Sequence, residues 1–368
     1  MAAAVRLSRR GLGRTAPNPS VGALVVADGR VVGRGVTAIG GRPHAEPQAL
    51  AEAGEAARGA TLYVTLEPCS HHGRTPPCVD AIIAAGVARV VAAVEDPDPR
   101  VAGKGFARLG EAGIAVTVGV GAADAEAALA GHLCRIRLGR PQVTLKLAVS
   151  ADRRIGRRDT PNLKVTGAAA HDRVHLMRAE ADAVAVGIGT AAVDDPALTV
   201  RLAGMAETSP VRVVFDSRLR LSVDSRLVRS ARDLPVVVFA AASADPERRR
   251  VLAGHGVEVV GVASGPDGRV APAAALAALA ELGFGSLLVE GGAELAETLL
   301  AADLVDRIAL FESDLRLGDD ALAAPAALGA ALGTETPRFR VEAHERPGAD
   351  RLTLWTRIAP PVPLDPRI

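Results

Sequence analysis

Short apolar runs with the period of a β-strand take turns along this chain with amphipathic stretches of helical period. In the first part, Met1 to Arg10 reads as a helix stopped at Gly11. Val21 to Val26 and Val31 to Gly35 read as a hairpin around Asp28-Gly29, a pair suited to a tight turn. His44 to Ala53 reads as a helix with His44 and Glu46 in its first turn, and Thr61 to Thr65 as a strand. Cys78 opens a helix to Ala85. Strand Arg89 to Val94, helix Phe106 to Ala112, strand Ile114 to Val118 and a long helix from Ala122 to Arg137 complete this part.

Gly139-Arg140-Pro141 interrupts the pattern, and a new strand from Val143 to Val149 follows at once. The expected domains are therefore 1–141 and 142–358, with a proline-rich tail over 359–368 that reads as disordered. The second half continues with helix Ala168 to Ala179 and strands Ala183 to Gly187, Val211 to Phe215, Val236 to Phe239 and Val257 to Val260. Helix Ala271 to Leu282 and strand Ser286 to Val289 follow. From Ile308 to Trp355 the segments look β-like without clear helices, as antiparallel strands closing a parallel sheet would. Alternating strands and helices imply layered α/β sheets in both halves.

A chain of 368 residues is too long for one ordinary core, and 49% apolar residues allow each half its own. The net charge of +1, without a long basic run, argues against a protein that grips nucleic acid through phosphates and for a small-molecule partner. No apolar run reaches the roughly 18 residues of a membrane span. Met1 leads directly into the first predicted helix, without a targeting segment, and three cysteines suit a reducing compartment. The expected location is the cytoplasm; homo-oligomerisation stays open.

The chemistry concentrates between residues 44 and 78. His44 and Glu46, followed by Pro68-Cys69 and by Cys78, match the H-x-E and P-C…C signature of zinc nucleobase deaminases. One histidine and two cysteines supply three protein ligands to zinc and leave a fourth position for water, as catalytic sites do. Glu46 is placed to move protons. The ligands are expected at two helix N-termini, whose dipoles favour thiolate. Eight residues separate the cysteines, where two are usual, and the insert holds Ser70, His71, His72 and Arg74. In the second half, Leu288-Val289-Glu290-Gly291-Gly292 runs from strand to helix through a double glycine whose bare amides suit a phosphate. Gly187-Ile188-Gly189-Thr190 adds a second glycine-rich strand end; together they suggest a nucleotide-binding α/β domain.

The block from Thr65 to Cys78, with Pro17-Asn18-Pro19-Ser20-Val21-Gly22 upstream, closely resembles the deaminase half of the bifunctional riboflavin-biosynthesis deaminase/reductase family. Leu145 to Asp152, Arg178-Ala179-Glu180, Gly187 to Thr190, Asp194 to Arg201, Phe215-Asp216-Ser217 and Val289 to Gly292 resemble its reductase half, so the likeness runs from Met1 to about Arg357. It implies a cytidine-deaminase-like three-layer α/β/α domain followed by a dihydrofolate-reductase-like α/β domain, one Zn2+ per chain, and NADPH. The implied first reaction is hydrolytic deamination of 2,5-diamino-6-(5-phosphoribosylamino)pyrimidin-4-one to 5-amino-6-(5-phosphoribosylamino)uracil. The second is NADPH-dependent reduction of the ribosyl chain to ribityl. In the first half the resemblance implies that Asn18, His71 and Arg74 bind this substrate. In the second, Lys146, Asn162, Arg178, Leu198, Arg201 and Glu290 would touch the phosphorylated substrate. Ala148, Lys164, Thr190, Asp194, Ser217 and Gly292 would touch NADPH. Apart from the resemblance, Arg218 or Arg220, just after the strand Val211 to Phe215, is the expected partner of its 2′-phosphate, which arginine can grip bidentately. Lys164 stands where the family writes tryptophan, and Arg153 where it writes glycine. The alternative expectation is an active deaminase whose second domain binds nucleotide without catalysis.

Overall fold

In this computed structural model the chain forms two compact units that divide after Gly139, where the sequence reading put the boundary after Pro141. Arg140 belongs to the second unit because its fully buried guanidinium forks onto Asp306, at 2.7 and 2.8 Å. The structure describes residues 1–157, 160, 162–333 and 337–358; the expected tail over 359–368 lies outside them.

The first unit is built on strands β1 (Gly22–Ala27), β2 (Arg30–Val36), β3 (Thr61–Leu66), β4 (Arg89–Val94) and β5 (Ala115–Val118), in the order β2-β1-β3-β4-β5. β1 pairs antiparallel with β2 and β3, and β3, β4 and β5 are parallel. Helices α1 (Ala2–Ser8) and α5 (Ala122–Leu138) pack together on β1, β3 and β4. Helix α2 (Ala45–Ala53) lies on β1 and β2 beside α3 (Cys78–Ala84), and α3 touches α4 (Lys104–Glu111). A methyl group on Gly22 would meet Ala4 O of α1, whereas one on Gly35 would meet Ala45 O of α2. Gly35 pairs with Ala23, the neighbour of Gly22, so α1 and α2 cover opposite faces and make three layers. The glycines of the hairpin let both helices sit directly on backbone. The expected first helix ends sooner, at Ser8, and continues as a 3-10 turn over Arg9–Gly11.

The second unit contains β6 (Gln142–Val149), β7 (Arg154–Gly156), α6 (Ala168–Ala179), β8 (Ala183–Gly187), α7 (Ile188–Asp194), β9 (Val211–Phe215), α8 (Arg226–Arg229) and β10 (Val236–Ala241). It goes on through α9 (Pro246–Gly254), β11 (Glu258–Val262), α10 (Pro272–Glu281), β12 (Ser286–Glu290), α11 (Ala293–Ala301), β13 (Arg307–Glu312), β14 (Leu322–Ala323), α12 (Ala326–Leu332), β15 (Phe339–Glu345) and β16 (Arg351–Arg357). Nine of these strands form one sheet in the order β11-β10-β9-β8-β12-β6-β13-β16-β15. Its first seven strands are parallel, and β16 and β15 join antiparallel. Side-chain alternation sorts its core onto two faces: Ala183, Ala185, Leu287 and Val289 pack with α10 and α11, while Val184, Val186 and Leu288 pack with α8 and α9. The stretch read as helix-free contains α12, whose run of alanines carries little periodic signal; Leu328 and Ala331 seat it in the core.

Candidate active sites

In the first unit, α2 begins where the chain leaves Pro43. His44 is its N-cap, not a residue of its first turn, and makes no side-chain capping bond, which leaves the imidazole free for a ligand. Gln48, one turn on, donates to Val36 O, Pro43 O and His44 O (2.6, 3.1 and 2.9 Å) and fixes the approach to the helix. Cys78 opens α3, but Cys69 lies in the loop after β3, so the expectation that all ligands come from helix N-termini is corrected for Cys69. The Pro68 ring forbids a continuing ladder and turns the chain there. The turn is held by Glu67, whose carboxylate accepts from the amides of Gly103, Gly105, Phe106 and Asp96 at 3.0, 2.9, 3.4 and 3.3 Å.

The ligand atoms of His44, Cys69 and Cys78 all lie within 4.8 Å of one another. His44 Nδ1 is 3.3 Å from Cys78 Sγ and 3.6 Å from Cys69 Sγ. Ligand atoms around a tetrahedral zinc, with bonds of roughly 2.0–2.3 Å, stand about 3.5–3.8 Å apart, so the trio fits. The Cys78 thiol and the His44 ring pull the Cys69 thiol down, whereas hydrogen bonding to Cys69 and burial push the Cys78 thiol up. Two thiolates would balance a divalent cation. Glu46 is 4% exposed, and burial, reinforced by the Cys69 thiolate, pushes its carboxyl up to about 7. A metal cation beside it would act in the opposite direction.

The other expected residues of this unit are placed unevenly. Asn18 Nδ2 donates to Gly41 O at 2.8 Å, which pins the half-buried side chain. His71 is half-buried with its Nδ1 unpaired, and Arg74 is exposed on the insert.

In the second unit the parallel register brings the C-terminal ends of β6, β8, β9 and β12 to one edge, where open α/β sheets bind ligands. Lys146 stands beside Glu290 in the ladder. Along β6, Val143, Leu145, Leu147 and Val149 enter the core, so Lys146 and Ala148 face the other way and stay half-buried. Burial holds the Lys146 ammonium below the usual lysine range, against the pull of Glu290. Arg178 of α6 forks onto Glu290 at 2.5 and 2.8 Å and donates to Thr199 O at 2.8 Å, with the two side chains 11% and 9% exposed. Burial would raise the Glu290 carboxyl, but the Arg178 guanidinium outweighs it and keeps it below the ordinary range.

Leu198 is 2% exposed, packs in the core cluster that contains Val184 and Val214, and adopts φ 55°. Arg201 is exposed and anchored through its amide to His175 Nδ1 at 3.4 Å. Asn162 donates its amide to Asp194 Oδ1 at 2.8 Å and its Nδ2 to Asp194 O at 3.1 Å, so these two expected residues hold each other. Gly291 and Gly292 have φ of 121° and 73°, and a methyl group on either would crowd Thr190. The double glycine is thus required by conformation and by the hydroxyl beside it. Ser217 Oγ accepts from Val270 N at 2.9 Å; Lys164 is exposed, as are Arg218 and Arg220. Arg153 adopts φ 59°, which accounts physically for a glycine at that position in the resembling family. Gln48 and Glu67 brace the segments of the first site and were not singled out from the sequence; only their contacts across the fold reveal them.

Residues 141–349 match the model of the RibD C-terminal domain, more than half of the chain. The chain belongs to the RibD family. Residues 1–94 match the cytidine and deoxycytidylate deaminase zinc-binding region. The riboflavin biosynthesis protein RibD of Escherichia coli K12 is 39% identical over 365 residues, covering 95% of this chain and 96% of that one. RibD of Aquifex aeolicus is 39% identical over 319 residues, 87% of each chain. Among solved structures, Acinetobacter baumannii RibD superposes with a TM-score of 0.85 at 35% identity, covering 97% of this chain and 98% of that one. A deaminase/reductase from Thermotoga maritima, described as acting on diaminohydroxyphosphoribosylaminopyrimidine and 5-amino-6-(5-phosphoribosylamino)uracil, gives 0.82 at 33% identity, covering 97% of each. As a RibD, the chain is a bifunctional deaminase and reductase of riboflavin biosynthesis, with a cytidine-deaminase-like unit and a dihydrofolate-reductase-like unit. The alternative of a second domain without catalysis is not favoured. Among the described residues no helix is long and apolar enough to cross a membrane.

Proposed function

We propose that the first unit deaminates 2,5-diamino-6-(5-phosphoribosylamino)pyrimidin-4-one through His44, Cys69, Cys78 and Glu46, and that the second reduces the ribosyl chain of the product with NADPH. The observation that carries the first assignment is the convergence of three soft ligand atoms beside a buried carboxyl. Bound there, Zn2+ supplies the Lewis acidity that makes water a nucleophile near neutral pH. Glu46 takes a proton from the attacking water and gives it to the departing amine, which a carboxyl tuned toward neutrality does well. Asn18, held by Gly41 O, meets the pyrimidine edge, and His71 and Arg74 meet the phosphate.

In the second unit the exposed Arg201 guanidinium takes the substrate phosphate, with Lys146 adding charge from β6. Arg178 is committed to Glu290 and Thr199 O, so it orients the Glu290 carboxylate toward the sugar hydroxyls instead of gripping phosphate itself. Ala148, Lys164, Thr190, Asp194, Ser217 and Gly292 would hold NADPH, and Asn162 and Leu198 would meet the substrate beside it. We place this work in the cytoplasm, where reducing conditions keep the thiols available to metal.

The test is incubation of the zinc-loaded protein with the diaminopyrimidine nucleotide. Ammonia should appear without NADPH, and NADPH should be consumed only once deaminated product is present. Ammonia release that survives Cys69→Ser and Cys78→Ser would refute the ligand assignment.

A further inference from the structure

Cys69 and Cys78 bracket an eight-residue insert, so the two thiols can meet only if the neck of that loop is closed. Within the loop the closing bonds are long: Cys78 N donates to Cys69 Sγ, and Val79 N to Cys69 O, both at 3.3 Å. The shortest connection comes from outside it. On α4, Arg108 spreads its guanidinium across the neck, Nη1 donating to Ser70 O at 3.1 Å and Nη2 to Asp80 Oδ1 at 2.6 Å. Ser70 follows Cys69 directly, and Asp80 lies in the first turn of the helix that Cys78 opens. One planar fork therefore ties together the two segments that carry the thiols, which the point charge of a lysine cannot do.

Helix α4 cannot drift away from this turn. Its N-terminal amides are collected by Glu67, and a methyl group on Gly105 would stand 2.3 Å from Pro68 O, so helix backbone lies directly on the turn.

We propose that Arg108 is a positioning residue of the metal site: by clamping Ser70 to Asp80 it holds the Cys69 and Cys78 thiolates at the spacing Zn2+ requires. The proposal rests on the assignment of His44, Cys69 and Cys78 as the zinc ligands. The clamp is 40% and 38% exposed, so as an ion pair it adds little to folding. Its effect falls instead on metal binding. A loop already closed gives up less conformational freedom when the metal arrives.

The experiment is zinc competition with a chromophoric chelator, run on the full chain as parent, Arg108→Ala, Arg108→Lys and Asp80→Asn. Melting temperature, taken after zinc is removed so that weaker metal binding cannot itself lower it, and reductase turnover are measured on the same preparations. Arg108→Ala should weaken zinc binding by about 10–100-fold, the range seen when groups supporting metal ligands are removed. Arg108→Lys and Asp80→Asn should fall between it and the parent. Melting temperature and reduction should stay at parental values, and ammonia release should return when zinc is in excess. Zinc affinity within about twofold of parent in Arg108→Ala overturns the proposal. So does an affinity loss that merely tracks a lowered melting temperature. Should Arg108→Ala fail to fold, Asp80→Asn, which keeps the Ser70 contact, decides by the same comparison. A parent that binds no zinc would instead remove the ligand assignment itself.

Discussion

Replacing Gly35 by alanine should disable the first site without touching any residue in it. Gly35 lies on β2 beneath α2, and an added methyl carbon would stand 2.0 Å from Ala45 O and 2.8 Å from Ala49 N. Its φ is outside the left-handed region, so the backbone accepts alanine and the obstacle is purely steric. An ordinary contact needs roughly 3.5 Å, so strand and helix must part by about 1.5 Å. Overpacking of this kind costs about 1–3 kcal/mol. The stiffer unfolded chain returns about 0.4–1 kcal/mol of that, leaving a net loss of up to about 2.6 kcal/mol.

The effect on chemistry should be larger than the effect on stability. His44 immediately precedes Ala45, the residue that must move. Metal–ligand distances tolerate only about 0.2 Å, and misplacing reacting groups by about 1 Å can cost about 100-fold in rate. Zinc per chain by elemental analysis, ammonia release and urea unfolding should all fall for Gly35→Ala, with reduction of the deaminated nucleotide as the internal control. Gly110→Ala on α4, where a methyl group meets nothing within 4 Å, should instead be neutral or stabilising by about 0.5–1 kcal/mol. Parental zinc content and ammonia release in Gly35→Ala would show that α2 does not rely on this close approach, and the reasoning would fail.

Glu46→Gln should keep its zinc while ammonia release disappears, since it removes a proton carrier and not a ligand; zinc lost together with activity would contradict the role. Glu290→Ala should leave the Arg178 guanidinium uncompensated in a nearly buried position, lowering stability by on the order of 3 kcal/mol and abolishing ribosyl reduction while ammonia release continues. Because the folded Glu290 carboxyl lies below its unfolded value, the stabilisation is complete above about pH 4.3 and is lost as pH falls through the lowered value. Melting curves taken downward through that window should drop for the parent and stay flatter for the variant. Neutralising the exposed Arg218 and Arg220 together should narrow the NADPH-to-NADH preference in kcat/KM; an unchanged ratio would dispose of them as 2′-phosphate partners.

Much of this architecture was legible in the sequence because local signals agreed with one another. The strands over Arg89–Val94, Ala183–Gly187 and Val211–Phe215 and the helix over Ala168–Ala179 end where their residue patterns end. The metal trio was legible for a different reason: thiolate and imidazole ligands have few other uses together, so their spacing points to one chemistry. Helix α12 was hidden because alanine fills both its faces and leaves no amphipathic period. Leu198 shows a second limit, since a motif identifies a position but not how deeply the fold buries it.

The least legible features are the contacts that join distant segments. Arg178 and Glu290 were both read as groups that touch substrate, each being charged and near a strand end. Nothing in either segment indicates that the two satisfy one another across 112 positions. Once paired, they are committed to one another, whereas the Arg201 side chain is exposed and its backbone is anchored by the amide's bond to His175. The same logic separates Glu67 from Glu46 in the first unit. Both are buried glutamates close to metal-binding segments, yet Glu67 spends its oxygens on the amides of Asp96, Gly103, Gly105 and Phe106, whereas Glu46 faces the thiols with its carboxyl raised toward neutrality. Which carboxylate is spent on holding the turn and which is left beside the thiols is decided by hydrogen-bond partners that the folded chain alone supplies.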